Sequence, residues 1–173
     1  MPRVPGDKPK LIVIAVIDQM RFDYMYRFSD QFTNDGIKKL INEGTVFKNA
    51  THNYLLTQSL PGYVTIMSGA EPANHGVVSD QWISRVNNEM IKAGLDPKVE
   101  AIDAKGDNLN FSPKHLRTSF FTDELNLSNQ SRSKIYSIAM EGDVAAMAGG
   151  HSADGVFWFD HATAGLRNGV LEG

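Results

Sequence analysis

The chain has 173 residues and a formal net charge of −3, with 42% hydrophobic and 21% charged residues, a composition typical of one globular domain. It contains no cysteine, which excludes disulfide scaffolds, thiolate zinc sites and cysteine nucleophiles. The acidic balance argues against nucleic-acid binding through bulk basicity. The longest apolar run, residues 11–17, is much shorter than the roughly 18 residues that a membrane span requires.

The first third of the chain predicts a leader, a strand, a helix and a second strand. Residues 1–10 contain three prolines and are expected to form an exposed leader. Residues 10–18 form a continuous, largely β-branched run, which predicts a central parallel strand buried on both faces. Residues 37–41 predict a short amphipathic helix that Gly44 ends, and residues 45–54 have strand character.

The middle of the chain predicts one helix and one long surface segment. Residues 59–68 predict a helix, because Leu60, Val64 and Met67 are spaced to share one face. Residues 84–110 are polar and are expected to form a surface excursion, a kind of segment that is often functional.

The last third predicts a further helix and two strands. Ser112 followed by Pro113 has the form of an N-cap and a first helical residue, and it predicts a helix that runs to about Leu127. Residues 134–140 and 156–159 predict strands. Strands that alternate with helices predict an α/β fold with a mainly parallel sheet flanked by helices.

Asp18 lies where the first predicted strand ends. Ligands of open α/β sheets bind beyond the carboxyl ends of the strands, so this carboxylate is a candidate metal ligand. The alternative is a loop aspartate that caps a turn.

Ser59 lies where a predicted strand gives way to a helix. The N-terminus of a helix attracts anions, phosphate in particular. A hydroxyl placed there beside a metal ion can ionise and act as a nucleophile. The alternative is an ordinary N-cap serine, which is very common.

Four segments in the same order resemble the N-terminal part of the alkaline phosphatase superfamily, and most closely its type I phosphodiesterase/nucleotide pyrophosphatase branch. They are Val-Ile-Asp-Gln-Met-Arg at 16–21, the helix start at 59–69, Glu-Pro-Ala-Asn-His-Gly-Val at 71–77, and the stretch 148–160 with Ala-Gly-Gly-His and Val-Phe-Trp-Phe-Asp. The 41-residue separation of Asp18 and Ser59 also fits this branch. The resemblance extends from about residue 8 to residue 160.

This resemblance implies a hydrolase of small-molecule phosphate esters that binds two zinc ions in a cleft at the carboxyl edge of the sheet. Asp18 would be the first zinc ligand, and Ser59 would be both a zinc ligand and the nucleophile that forms a covalent phosphoenzyme. Thr57 is the rival hydroxyl, but it lacks the Pro-Gly sequence that follows Ser59. Family analogy also suggests a periplasmic or secreted protein.

Three candidate substrate-binding positions depart from the family pattern. The family has asparagine at the position of Asp80, where the amide donates to a phosphoryl oxygen, whereas an ionised aspartate can only accept. The family's phosphomonoesterases carry Lys and Arg where a gapless count back from His151 places Glu141 and Asp143. Acidic groups at these positions would repel a dianionic monoester.

Several explanations of these acids remain open. In the first, the substrate is a diester or another ester with less charge. In the second, the acids bind an extra cation or a cationic head group. In the third, catalysis is impaired or the count is misaligned. The remaining alternative for Glu141 and Asp143 is that they are ordinary surface acids in a turn. The corresponding alternative function is a non-catalytic binding module that has kept the fold.

The histidines contribute little to this expected site. His75 and His151 are expected to be structural, and Asp160 and His161 to be loop residues at a strand end. The family's remaining zinc ligands include an aspartate with a histidine four residues later, and none of the five histidines here has that context. We therefore expect an N-terminal portion of a longer catalytic domain, inactive alone.

Overall fold

The computed structural model describes residues 9–99, 101–102 and 110–169. The chain divides into two compact units, Met1–Ala50 and Thr51–Gly173. Most of the predicted leader lies outside the described residues. Among the described helices, none combines the length and the apolar composition that crossing a membrane requires.

The first unit contains two short helices, α1 (Tyr24–Arg27) and α2 (Ile37–Glu43). Helix α2 confirms the predicted helix at 37–41. Gly44 follows it and donates its backbone N–H to the carbonyl of Leu40, so the helix ends where the glycine predicts.

Two strand predictions in the N-terminal region are wrong. Residues 10–18 and 45–54 form no strand, and neither pairs with another strand in the part of the chain that the structure describes. Leu11 and Val13 are 78% and 77% exposed rather than buried. A strand exists only with a hydrogen-bonded neighbour, and the apolar pattern alone does not supply one.

The second unit begins with α3 (Ser59–Ser68) and α4 (Pro72–His75), which are followed by a hairpin of β1 (Gln81–Ile83) and β2 (Met90–Lys92). Helix α3 has the predicted bounds. Gly69 ends it in the left-handed conformation, with φ of 68°, which a residue with a side chain rarely adopts. The described part of the predicted surface excursion contains β2, so it is not a loop throughout.

The rest of the second unit consists of α5 (Phe121–Ser128), β3 (Tyr136–Ala139), α6 (Gly142–Gly149), β4 (Gly155–Asp160) and β5 (Gly165–Gly169). Strands β3 and β4 are parallel and are connected through α6, whereas β5 pairs with β4 in the antiparallel direction. Both predicted strands are confirmed, and the β3–α6–β4 unit is the α/β arrangement that the sequence predicts.

The predicted helix start, with Ser112 as N-cap and Pro113 as first helical residue, is wrong by eight residues, because α5 begins at Phe121 with Phe120 as its N-cap. The Ser112 hydroxyl donates to the buried carboxylate of Asp96 at 2.7 Å. Asp96 also accepts from the Lys114 ammonium at 3.1 Å. Ser112 is therefore engaged in a contact between distant parts of the chain rather than in capping a helix.

Two groups of buried side chains form the core. One gathers around α3 and confirms the predicted face of that helix; it includes Leu60, Val64, Met67, Phe120 and Met147. The other lies between α6 and the sheet and includes Ala145, Ala146, Val156 and Trp158. Helix α6 contributes to both groups, and it packs against α3 on one side and β4 on the other.

Two glycines provide a matched test of this packing. A Cβ at Gly142 would overlap the Phe111 ring, whereas a Cβ at Gly62 within α3 would meet nothing within 4 Å. We expect Gly142→Ala to lower the free energy of unfolding by about 1–3 kcal/mol. Gly62→Ala should raise it by about 0.5–1 kcal/mol, because alanine is the better helix former. Urea unfolding measures both values, and equal effects of the two variants would contradict the packing described.

Candidate active site

Ser59 is the first residue of α3, and Gln58 is the N-cap. The structure therefore places Ser59 one residue inside the helix rather than at the cap. Leu60 and Pro61 follow it and are buried, which fixes the first turn against the core. Ser59 itself is half-buried. The rival hydroxyl of Thr57 lies in the exposed segment before the helix.

The first turn of α3 is connected to the Ser79–Asp80 segment by side chains from both sides. The Gln58 Oε1 atom accepts from the Ser79 hydroxyl at 2.6 Å and from the Asp80 backbone N–H at 2.9 Å. In return, Asp80 Oδ1 accepts from the Leu60 backbone N–H at 3.0 Å. Asp80 is thus held at the helix N-terminus, beside the residue that follows Ser59, where its negative charge is favoured by the helix dipole.

Asp143 lies in the first turn of α6, and its environment disfavours its charge. Burial raises the pKa of this carboxyl above its usual value, and the charges of Glu141 and Asp80 raise it further. Hydrogen bonds from the Val144 backbone N–H, at 2.8 Å, and from the backbone of Asp143 itself act in the opposite direction. Asp143 also packs on Gly94, where a Cβ would lie 2.8 Å from the Asp143 Cα atom. Asp80, Glu141 and Asp143 therefore share one electrostatic environment.

Glu141 and Asp143 differ in how well they match the expectation of ordinary surface acids. Glu141 is exposed at the N-cap of α6, as a surface acid would be, whereas Asp143 is half-buried and is not an ordinary surface acid. Within the described residues, no group of three or more His, Asp or Glu side chains is arranged to hold a metal ion. The hypothesis that these three acids converge on an extra cation is therefore not supported.

Asp18 lies in the first compact unit and is exposed. Its Oδ1 atom accepts from the Gln19 backbone N–H at 2.8 Å. Gln19 has a φ of 55°, in the left-handed region that is uncommon for residues other than glycine, asparagine and aspartate. Such backbone strain is concentrated at functional and switch positions, so the geometry next to Asp18 is compatible with a functional residue there.

His75 has the structural role that the sequence predicts. The ring is fully buried, with Nδ1 accepting from the Val77 backbone N–H at 3.2 Å and Nε2 lying 3.2 Å from the Thr65 hydroxyl. Burial lowers the pKa of His75, so the neutral ring is favoured. This histidine connects the end of α4 to α3.

Asp160 is the last residue of β4, where the sequence predicted a loop residue at the strand end. Its carboxylate accepts from the Thr163 hydroxyl, the Ala162 backbone N–H and the Arg167 guanidinium, and these contacts lower its pKa to about 2. The contacts close the turn between β4 and β5.

The sequence profile of the family described as "Type I phosphodiesterase / nucleotide pyrophosphatase" matches residues 11–169. The chain belongs to this family.

Curated relatives agree with this membership. Over 90% of its length, the chain is 36% identical to the alkaline phosphatase PhoV of Synechococcus elongatus. Over 91% it is 35% identical to a protein of Myroides odoratus named as a calcium-transporting ATPase. The chain spans less than a third of these relatives, 28% and 29% of their lengths.

Solved structures confirm the predicted alkaline-phosphatase-like α/β fold. Wild-type alkaline phosphatase PafA superposes with a TM-score of 0.85 at 27% identity, over 88% of this chain and 29% of that chain. A variant of the same enzyme matches equally well, with a TM-score of 0.85 at 28% identity over 88% of this chain and 30% of that chain. The variant replaces a threonine by serine, and an asparagine, a lysine and an arginine by alanine.

Two important side chains of this family member escaped the sequence analysis. Gln58 carries no motif, and its role appears only once the Ser79–Asp80 segment folds back to it. Asp123 did leave a signal, because it is the third residue of α5 and accepts from the Phe120 backbone N–H at 2.9 Å. An acid is favoured in the first turn of a helix, but the cap here is Phe120 and not a serine or threonine, so the sequence signal for the start of α5 is weak.

The unfavourable charge of Asp143 generates a prediction about stability. Since folding raises its pKa above the ordinary 3.8, its protonated form is favoured in the folded state. The stability that protonated Asp143 contributes is fully present at pH values below its pKa in the unfolded state. It is lost as the pH rises through its higher pKa in the folded state. We therefore expect Asp143→Asn, which keeps an oxygen for the Val144 N–H, to be more stable than the wild type at pH 7.

The advantage of Asp143→Asn should disappear at acidic pH, near the ordinary pKa of an aspartate. Urea unfolding at neutral and acidic pH measures this difference. Glu124→Gln, which removes one negative charge from an exposed position of α5, is the matched control for the loss of a charge. An Asp143→Asn advantage that is constant with pH would contradict the electrostatic cause.

Proposed function

We propose that the complete protein is a metal-dependent hydrolase of phosphate esters in which Ser59 is the nucleophile. The observation that supports this most directly is a match of spacing. The four positions substituted in the PafA variant have the same separations as Ser59, Asp80, Glu141 and Asp143 to within one residue. Ser59 takes the position of the threonine that the variant replaces by serine, so a hydroxyl is retained.

The local geometry is consistent with that role. Ser59 is half-buried at the start of a helix whose first turn is fixed by buried residues and by the contacts of Gln58 and Asp80. A nucleophile is effective when it is held in one geometry and when positive potential stabilises the charge that develops on the phosphoryl oxygens. The N-terminus of α3 supplies part of that potential.

Zinc is part of the proposal, with Asp18 and Ser59 each offering one oxygen ligand. Bound zinc would activate the hydroxyl and stabilise negative charge on oxygen. A zinc site needs three or four protein ligands, and the described residues hold no group of three His, Asp or Glu side chains suited to it. We propose that the complete protein supplies the further ligands of this site and that the activity belongs to it.

The charge of the site favours a diester over a monoester. By the spacing above, three carboxylates of this chain correspond to an asparagine, a lysine and an arginine of PafA. Asp80 also occupies the Leu60 N–H, which therefore does not point to the substrate. One unit charge at 4 Å is worth about 4 kcal/mol at an effective dielectric constant of 20, so a dianion is disfavoured relative to a monoanion.

A non-catalytic binding module is the second candidate, and the same three acids motivate it. The two functions differ in turnover rather than in fold. If the complete protein contains no bound zinc after purification and, with zinc then added, cleaves neither aryl phosphate monoesters nor diesters, the binding module is the correct description.

Ser59→Ala should reduce the hydrolysis of an aryl phosphodiester by at least about 1,000-fold, because no other hydroxyl replaces the nucleophile. Ser59→Thr should retain measurable activity, since it keeps the hydroxyl. Thr57→Ala, which removes the rival hydroxyl, is the matched control and should retain the wild-type rate. Steady-state kcat/KM values of the complete zinc-loaded protein provide the measurement, and wild-type rates for Ser59→Ala would refute the assignment.

Replacing the acids by the residue types of PafA tests the substrate preference. We expect the triple variant Asp80→Asn, Glu141→Lys, Asp143→Arg to raise the ratio of monoester to diester kcat/KM by at least about ten-fold. Asp80→Asn alone, which keeps an acceptor for the Leu60 N–H, should shift the ratio in the same direction by less. Glu124→Lys changes an exposed acid outside the site and should leave the ratio unchanged; an unchanged ratio in the triple variant would contradict the argument.

A further inference from the structure

The buried carboxylate of Asp96 joins two segments of the second unit that are distant in the sequence. Asp96 is only 6% exposed and accepts from the Ser112 hydroxyl at 2.7 Å and from the Lys114 ammonium at 3.1 Å. It also accepts from the Lys98 backbone N–H at 3.2 Å. Burial opposes its charge, but the hydrogen bonds and the charge of Lys114 outweigh burial and lower the pKa of Asp96. The carboxylate is therefore ionised at neutral pH and engaged within the protein.

The segments that Asp96 joins also pair through their backbones. The Asp96 N–H donates to the Asn110 carbonyl at 2.8 Å, and the Ser112 N–H donates to the Gly94 carbonyl at 2.9 Å. A single antiparallel bridge connects the residues that lie between these two bonds. We name the paired segments the Asp96 clamp; they are residues 94–96 and 110–114.

The Asp96 clamp holds the start of α6 between its backbone and an aromatic ring. A Cβ at Gly94 would lie 2.8 Å from the Asp143 Cα atom, so the clamp backbone lies directly against Asp143. A Cβ at Gly142 would overlap the Phe111 ring, so the clamp also contacts the preceding residue of α6. Because packing is this close, the first turn of α6 keeps its position only while the clamp keeps its own.

The residue before the clamp connects it to Asp80. Ala93 is buried and donates its backbone N–H to the Asp80 carbonyl at 2.9 Å. Asp80 follows α4 and Asp143 belongs to α6, yet the successive residues Ala93 and Gly94 contact both. The relative position of these two acids therefore depends on the clamp.

We propose that Asp96 is a positioning residue that holds Asp143 in place beside Asp80 at the proposed active site. The role of the two acids toward a substrate rests on the proposed function, whereas their positioning is a property of the fold. Loss of the Asp96 contacts loosens the clamp, withdraws Gly94 from Asp143 and admits water to the Asp143 carboxyl. Asp96 acts through the clamp rather than on the substrate.

The titration of Asp143 tests the positioning without any measurement of activity. The complete, metal-stripped protein is labelled with carbon-13 at its aspartate carboxyl groups, and the Asp143 signal is the one that Asp143→Asn lacks. Burial is the largest cause of the raised pKa of Asp143, so access of water should lower that pKa. We expect Ser112→Ala and Lys114→Met each to weaken proton binding by Asp143 at least about three-fold.

Lys114→Met separates positioning from a direct effect of charge. Removal of a positive charge by itself raises the pKa of a nearby carboxyl, whereas a loosened clamp lowers the pKa of Asp143. Ser112→Ala changes no charge. Glu141 and Asp80, whose charges raise the pKa of Asp143, are intact in both variants. An Asp143 pKa that is unchanged or higher in both variants would overturn the proposal.

Asp154→Asn is the matched control for these variants. Asp154 also accepts from a lysine, Lys134, and from a backbone N–H, that of Ile135, but it lies outside the clamp. We expect Asp154→Asn to leave the titration of Asp143 unchanged. Ser112→Ala and Lys114→Met each remove one contact and retain Asp96, so the test does not require a variant in which this buried carboxyl is lost.

Substrate preference provides the second readout, in the complete zinc-loaded protein. A variant that is only less stable lowers kcat/KM for monoesters and diesters equally, whereas displaced acids repel a dianion less. We expect Lys114→Met to raise the ratio of monoester to diester kcat/KM at least about three-fold, and Asp154→Asn to leave it unchanged. A lowered Asp143 pKa with an unchanged ratio would uphold the positioning and contradict the role assigned to the acids under the proposed function.

Discussion

The bond between the Asp80 carboxylate and the Leu60 N–H organises the region around Ser59. The first N–H groups of a helix have no partner within the helix, and leaving one buried and unpaired is costly. Asp80 meets this requirement at 3.0 Å, while Gln58 holds the Asp80 backbone in return. The start of α3 and the segment that follows α4 therefore form one braced unit, and Ser59 lies at its edge.

This brace does not itself require a negative charge. An asparagine at position 80 would present the same side-chain oxygen to the Leu60 N–H, and its amide group would remain able to donate to a substrate. Folding therefore accounts for a side-chain oxygen at this position but not for a carboxylate. Glu141 and Asp143 are acidic as well, and the fold does not require the negative charge of this region. The charge is explained either by the substrate that the site binds or by the loss of substrate binding.

Sequence patterns predicted the elements whose signals are local. Helix α3 has its predicted bounds because its apolar face and the terminal Gly69 lie within one segment, and β3 and β4 are short apolar runs connected by a helix. The predictions for residues 10–18 and for Ser112 were wrong because their outcome depends on contacts with distant parts of the chain. A strand depends on a pairing partner, and the Ser112 hydroxyl is used by Asp96, 16 residues away. The candidate site follows the same division, since Ser59 and Asp80 carry motif context whereas Gln58 does not.

Two aspartates in the first turns of helices show how the fold separates structural from chemical roles. Asp123 has its pKa lowered because hydrogen bonds from Phe120, His151 and Ser152 outweigh its burial. Asp143 has its pKa raised because burial and two neighbouring acids outweigh the hydrogen bonds from the backbones of Val144 and of Asp143 itself. The first carboxylate is stabilised by the protein alone, whereas the second would be stabilised by a proton, a cationic group or a substrate with little negative charge. Contrasting environments of this kind distinguish an acid that supports the fold from one whose charge bears on the chemistry.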